Sequence, residues 1–327
     1  MGYRLEPRES VPGAIKRIAR EQIESSIDVL SQASPDGQDK AVHQARKHFK
    51  KLRALVRLVR DQVGNKAYRR ENSCFREASH QLEALRDAQV RLNTFDHLLS
   101  HYGDSVEADE FISIRQLLLE DYAAVQGDDD QAATQVIPEL KAAKRRVERW
   151  TIGDDWAALA DGLTRIYAQG RLAFKTAQKT PNPENLHDWR KRVKDLWYHL
   201  CLLSPLWPAT FKPWRAQVEQ LSELLGQDHD LAMLRAHLRA DPTRLGNADD
   251  ARGVLLALSQ RRQHELQTAA SLLGQRLYAE SPEAFANRMA TYWRVWRLET
   301  QMAQLIAEPG DGVASEPLSP DAEPALN

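Results

Sequence analysis

The chain has 327 residues and a mass of 37.2 kDa, more than one hydrophobic core usually spans, so it predicts two cores or one duplicated unit. Its 42% hydrophobic and 28% charged residues suit ordinary globular cores, while two cysteines outside any CxxC spacing exclude a disulfide framework and a zinc ribbon. The formal net charge is -1, no run of 18 apolar residues occurs, Glu6 spoils a myristoylation match and MGYRLEPRES lacks an apolar signal core, so a cytoplasmic protein away from membranes is expected.

Apolar residues recur at three- and four-residue spacing along nearly every long segment, and alternating strand patterns are hard to find, so the fold class is all-α. Helices are expected near 13–32, 39–63, 66–101, 106–126, 131–150, 154–179, 184–203, 211–239, 248–274 and 282–306. Turn-forming stretches separate them: SPDG at 34–37, GDDD at 127–130, TPNP at 180–183 and ADP at 240–242. Segment 308–327, with five acids, no base and four prolines, is expected to be a disordered acidic tail. Without that tail, residues 1–307 carry about +4 by the same charge count.

Laying HQARKHFKKLR (43–53) over HDWRKRVKDLW (187–197) reveals an internal repeat at a constant offset of 144 residues. His43, Arg46, Lys47 and Lys50 fall on His187, Arg190, Lys191 and Lys194. Val42, Ala45, Phe49, Leu52, Val56 and Val59 answer in the same way to Leu186, Trp189, Val193, Leu196, Leu200 and Leu203. The expected organisation is therefore a first repeat over 1–150 and a second over 151–307.

In the first copy, ten basic or imidazole side chains stand between Asp39 and Asp61 with no carboxylate among them. His43, Arg46, Lys50, Arg53, Arg57 and Arg60 each follow an apolar residue by one position, about 100° around a helix, which makes a positive ridge beside the buried stripe. A merely solvated face mixes signs. Here like charges sit three or four residues apart at 46/50, 47/51, 53/57, 47/50, 50/53 and 57/60, which costs roughly 1–3 kcal/mol before salt screening. Asp87 and Asp230, 44 and 43 residues after His43 and His187, recur with the repeat and can orient one or two bases each, but not balance the ridge. A polyanionic ligand is the better account.

The twin HxxRKxxK patterns, the LRD and QDHD segments that follow them, and RIYAQGR at 165–171 resemble the CHAD family, the conserved-histidine α-helical domain, over about residues 10–305. That resemblance implies two pseudo-symmetric antiparallel helical bundles with a basic surface cavity between them, which binds inorganic polyphosphate and can direct a protein to polyphosphate granules. Carried over residue by residue, it implies ligand contacts from His43, Arg46, Lys47, Lys50 and Arg53, and from His187, Arg190, Lys191 and Lys194. Arg57 continues the first ridge, and Arg17, Arg165 and Arg171 on the opening helices of the two halves are candidates for the cavity wall. Asp87, Asp230 and Tyr198 are expected as supporting residues. The second half departs from the first where Trp197, Cys201 and Ser204 replace Arg53, Arg57 and Arg60, so an asymmetric site is expected.

Polyphosphate suits such a ridge because each interior unit carries a negative charge, matched by forked arginine donors and lysine point charges. His43 and His187 are expected to act as neutral donors or as cations induced by the ligand. No P-loop, HExxH, GxSxG or ExExK signature occurs, so an enzyme, a cofactor and a metal are not expected. His97 and His101 with Asp96 and Asp104 form only a weak metal pattern. The competing readings are a polyphosphate or phosphoester hydrolase, which Mg²⁺-dependent phosphate release would reveal, and a nucleic-acid-binding protein. The latter is disfavoured because the first ridge interleaves no aromatics and the second only Trp197 and Tyr198.

Overall fold

The computed structural model describes residues 2–32, 37–82, 84–103, 106–125, 129–241, 244 and 249–307. The expected acidic tail at 308–327 lies outside them, as do most of SPDG and parts of GDDD and ADP. The described residues are all-α: α1 (Val11–Ser31), α2 (Gln38–Leu58), α3 (Arg60–Gln81), α4 (Ala84–His101), α5 (Ile112–Ala124), α6 (Asp129–Val147), α7 (Ala157–Lys179), α8 (Pro183–Leu203), α9 (Pro208–Ala240), α10 (Asp249–Leu277) and α11 (Pro282–Ala307). Short 3₁₀ turns precede α5 and follow α8. Among the described residues no helix is long and apolar enough to cross a membrane.

Local chemistry explains several boundaries. Ser10 accepts from the Gly13 N–H at 3.2 Å and Asn182 from the Asn185 N–H at 2.8 Å, and each is followed within two positions by a proline, so α1 and α8 start at conventional caps. The break expected near 64 is a kink inside α3, where Gly64 adopts φ +80°, a conformation open to glycine. The single helix expected over 66–101 is instead two, α3 and α4. Its apolar spacing continues through the break, but the guanidinium of Arg46 takes the carbonyls of Ser79 and Leu82, so α3 can end without a glycine cap.

Two apolar clusters hold the molecule. The larger runs from Leu5 to Trp296 and uses α1, α2, α3, α6, α7, α8, parts of α9 and α10, and α11. The smaller joins Phe95, Leu98, Ile114 and Leu118 to Leu231, Leu234, Leu255 and Leu266, from α4, α5, α9 and α10. Each cluster mixes side chains from before and after residue 150.

The stripes of α2 and α8 fix how these helices are turned. Phe49, Leu52 and Val56, with Trp189, Val193 and Leu196, are all 2% exposed or less, a burial that contributes about 1.5–3 kcal/mol for each large side chain. The His199 ring donates to the Ala54 carbonyl at 2.9 Å and fastens α8 to α2. On the other side α7 presses against the end of α2, where a Cβ on Gly162 would stand 1.8 Å from the Leu58 carbonyl oxygen. Only glycine admits that approach. With the stripes locked inward, the residues one position later must face the surface between these helices.

Candidate functional site

Both basic ridges open onto one cavity of about 440 Å³. α2 contributes Arg46, Lys50, Arg53 and Arg57, and α8 contributes His187, Arg190, Lys191, Lys194, Asp195 and Tyr198. Ser79 at the end of α3, then Asp87, Val90 and Arg91 on α4, and His229, Asp230 and Met233 on α9 complete the lining. Eight arginines and lysines thus face three aspartates, an excess of five positive charges before the histidines are considered.

Not every expected residue is there. His43 is half-buried and Lys47 exposed, and neither lines the cavity, although the charge of Lys47 is felt by Lys194. Arg17 is held by Glu9 at 2.6 Å, by Glu21 and by the Arg4 carbonyl, and the two carboxylates, Glu9 first, raise its pKa further. Arg165 binds Asp61 and the Arg57 carbonyl, and Arg171 donates to the Tyr278 carbonyl at 3.1 Å. These three arginines fasten helices rather than line the cavity.

Sequence reasoning did not single out Arg91, Asp195, His229, Ser79, Val90 or Met233. Asp195 is the most consequential. Its buried carboxylate receives Arg57 at 2.7 Å and Arg192 at 3.2 Å, tying α2 to α8 at the cavity floor. Its counterpart in the first repeat is Lys51, so the alignment hides it. His229 and Arg91 carried a usable signal: one adjoins Asp230, and the other lies one turn after Asp87.

A family model described as CHAD domain matches residues 20–239, more than half of the chain. The chain belongs to the CHAD family. The crystal structure of the CHAD domain from the plant Ricinus communis matches this CHAD fold with a TM-score of 0.60 at 18% identity, over 82% of this chain and 93% of that one. At that identity the likeness concerns the fold alone. Among curated proteins none matches the chain.

Within this cavity the charges are compressed. Burial, chiefly, and then the repulsion of Arg190 and Lys47 lower the Lys194 pKa, against the pull of Glu219 and Glu223. Burial also lowers Arg190, which rests on Gly226 and has Asp230 as its main electrostatic support. Burial and then the adjacent Arg57 lower Arg53, whose Nε reaches Asn72 at 3.3 Å. The imidazoles of His187 and His229 stack with centroids 4.3 Å apart. Burial first, and then His229, Lys191 and Arg190, push His187 down to about 4; burial, Arg190 and Lys191 do the same to His229. Both rings are therefore neutral at pH 7. The buried Nδ1 of His187 and the Nε atoms of Arg190 and Arg91 have no hydrogen-bond partner among the described residues.

The carboxylates are differently engaged. Asp195 is committed to two arginines, while Asp87 and Asp230 line the cavity beside Arg91 and Arg190. Among the described residues no group of three or more His, Cys, Asp or Glu is placed to hold a metal ion. In the weak metal pattern of the sequence, Asp96 is bound by Arg115 at 2.9 Å, His101 faces Glu265 at 3.6 Å, and Asp104 lies outside the described residues.

Proposed function

We propose that this CHAD protein is a non-catalytic binder of inorganic polyphosphate, gripping the polyanion with the paired basic faces of α2 and α8 and serving in the cytoplasm, at polyphosphate granules. The observation that carries the reading is the convergence of both ridges on one cavity with an excess of five positive charges. Desolvated cations held this close repel one another, and a chain of phosphates relieves that repulsion along its whole length in the cavity. The same convergence supports a pseudo-symmetric molecule of two duplicated halves, 1–150 and 151–307, each placing one HxxRKxxK helix on the shared cavity.

The lining favours an inorganic ligand over nucleic acid. Its one Phe, Tyr or Trp is Tyr198, which is 5% exposed and packs edge-on against Tyr3, so it offers no open face on which a base could stack. Arg46 and Arg57 work inside the frame, on the α3 carbonyls and on Asp195; of the other lining cations, Lys50, Arg53, Arg190, Lys194 and Lys191, the last bridged to Asp188 at 2.9 Å, make the main gripping set.

The stacked histidines test where the anion sits. In the free cavity both titrate near 4, and phosphate beside them favours the imidazolium, so each pKa rises on binding. A higher pKa in the complex means proton uptake, so affinity increases as pH falls through the raised values and levels off below about 4, where the free protein is already protonated. Affinity for long-chain polyphosphate at fixed salt is expected to rise roughly tenfold from pH 8 to pH 5, a gain of about 1.4 kcal/mol. His187→Gln with His229→Gln should flatten that profile. The unliganded protein behaves oppositely: because folding depresses both pKa values, its stability is complete above about 6.5 and declines towards 4, so circular dichroism must verify the fold at the acid end. A profile equally flat in both proteins would remove the histidines from the site.

A further inference from the structure

α11 carries two apolar faces. Phe285, Met289, Trp293 and Trp296 are 8% exposed or less and pack into the main core. Val295, Leu298, Met302, Leu305 and Ile306 are 47–81% exposed. At about 100° per residue their band is centred roughly 145° from the buried face, so the body that holds one face does not cover the other. From 297 onward no described side chain of α11 is buried.

The spacing 295, 298, 302, 305 alternates three and four, the a/d seam of a coiled coil. Oppositely charged residues flank it: Arg294 falls on position g and Glu299 on position e of the following heptad. In a parallel pair of identical helices a g side chain meets the e side chain five residues further along the other helix, so Arg294 meets Glu299 of a second copy, twice by two-fold symmetry. Antiparallel pairing instead sets g against g and e against e, so Arg294 and Glu299 would not meet.

We propose that this outer face of α11 is a homodimer surface on which two copies of the chain pair their last helices in parallel over residues 295–306. The two bodies lie on opposite sides of the pair, because each packs against the face of α11 turned away from the seam. This proposal is independent of the anion reading, and its test measures mass rather than ligand binding.

Sedimentation equilibrium of the full chain from about 1 to 100 µM is expected to show a dimer. Leu298→Glu with Met302→Glu, both at exposed positions, should give a monomer with unchanged helical content. Arg294→Glu or Glu299→Arg alone should weaken the dimer about tenfold, and the two together should restore it. A wild-type monomer at about 100 µM, or a dimer unmoved by the two glutamates, overturns the proposal. A double reversal that fails to restore the dimer weakened by the single ones overturns the parallel pairing.

Discussion

Replacing Lys50, Arg53, Lys191 and Lys194 together by alanine is expected to weaken long-chain polyphosphate binding about 1,000-fold, if each charge-assisted hydrogen bond removed contributes roughly 1 kcal/mol net. The plot of log affinity against log salt should become shallower by about 0.7 for each phosphate no longer gripped, close to three in all, because each neutralised phosphate displaces a condensed counterion. Arg46 and Arg57 are left in place on purpose: removing the first exposes the carbonyls of Ser79 and Leu82, and removing the second strands Asp195. Unchanged circular dichroism and melting would place the loss in the cavity rather than the fold. A variant with wild-type affinity and slope would mean that the anion is held elsewhere.

Asp195→Asn is expected to move stability and affinity in opposite directions. The carboxylate is 6% exposed and stands between Arg57 and Arg192, so its loss leaves two cations facing each other with little water to screen them. Breaking a buried ion pair from one side costs about 3–5 kcal/mol, and the amide oxygen of asparagine recovers part of that. Denaturant titration should show a midpoint shifted by a substantial share of the total stability, about 5–15 kcal/mol for a typical domain. The molecules that remain folded, however, present one more uncompensated charge, and their polyphosphate affinity should rise with a steeper salt dependence. A stability loss with no gain in affinity would show that Asp195 serves only the α2–α8 tie.

Much of the fold was legible because burial imposes the helical period. The stripes of α2 and α8 are buried where their spacing placed them, whereas the helix expected to run to 63 ends at Leu58 and Gly64 falls as a kink inside α3. The break between α3 and α4 was hidden, since the residue that allows it, Arg46, is 33 and 36 positions away from the carbonyls it caps. The cavity was partly legible. A one-position offset from an apolar stripe puts Arg46, Lys50, Arg53 and Arg57, with Arg190 and Lys194, on one face, and all of them line it. His43, three residues before Arg46 on α2, does not. The repeat also drew attention away from residues that break it. Asp195 opposes Lys51, and His229 contributes through a stack with His187 that only the crossing of α8 and α9 creates. Arg17, Arg165 and Arg171 show the converse: a basic residue near a basic motif can be bound to its own carboxylates and carbonyls.

The central claim is that an inorganic polyanion, rather than a nucleic acid or a single phosphate group, satisfies the cavity. Labelled long-chain polyphosphate is titrated onto the purified full-length protein at fixed salt and pH, then challenged in parallel with RNA of equal charge and with pyrophosphate. The account predicts that unlabelled polyphosphate displaces the probe stoichiometrically, while RNA and pyrophosphate do so only at concentrations at least about 100-fold higher, a difference of about 2.7 kcal/mol. RNA that displaces the probe at equal charge concentration would contradict it.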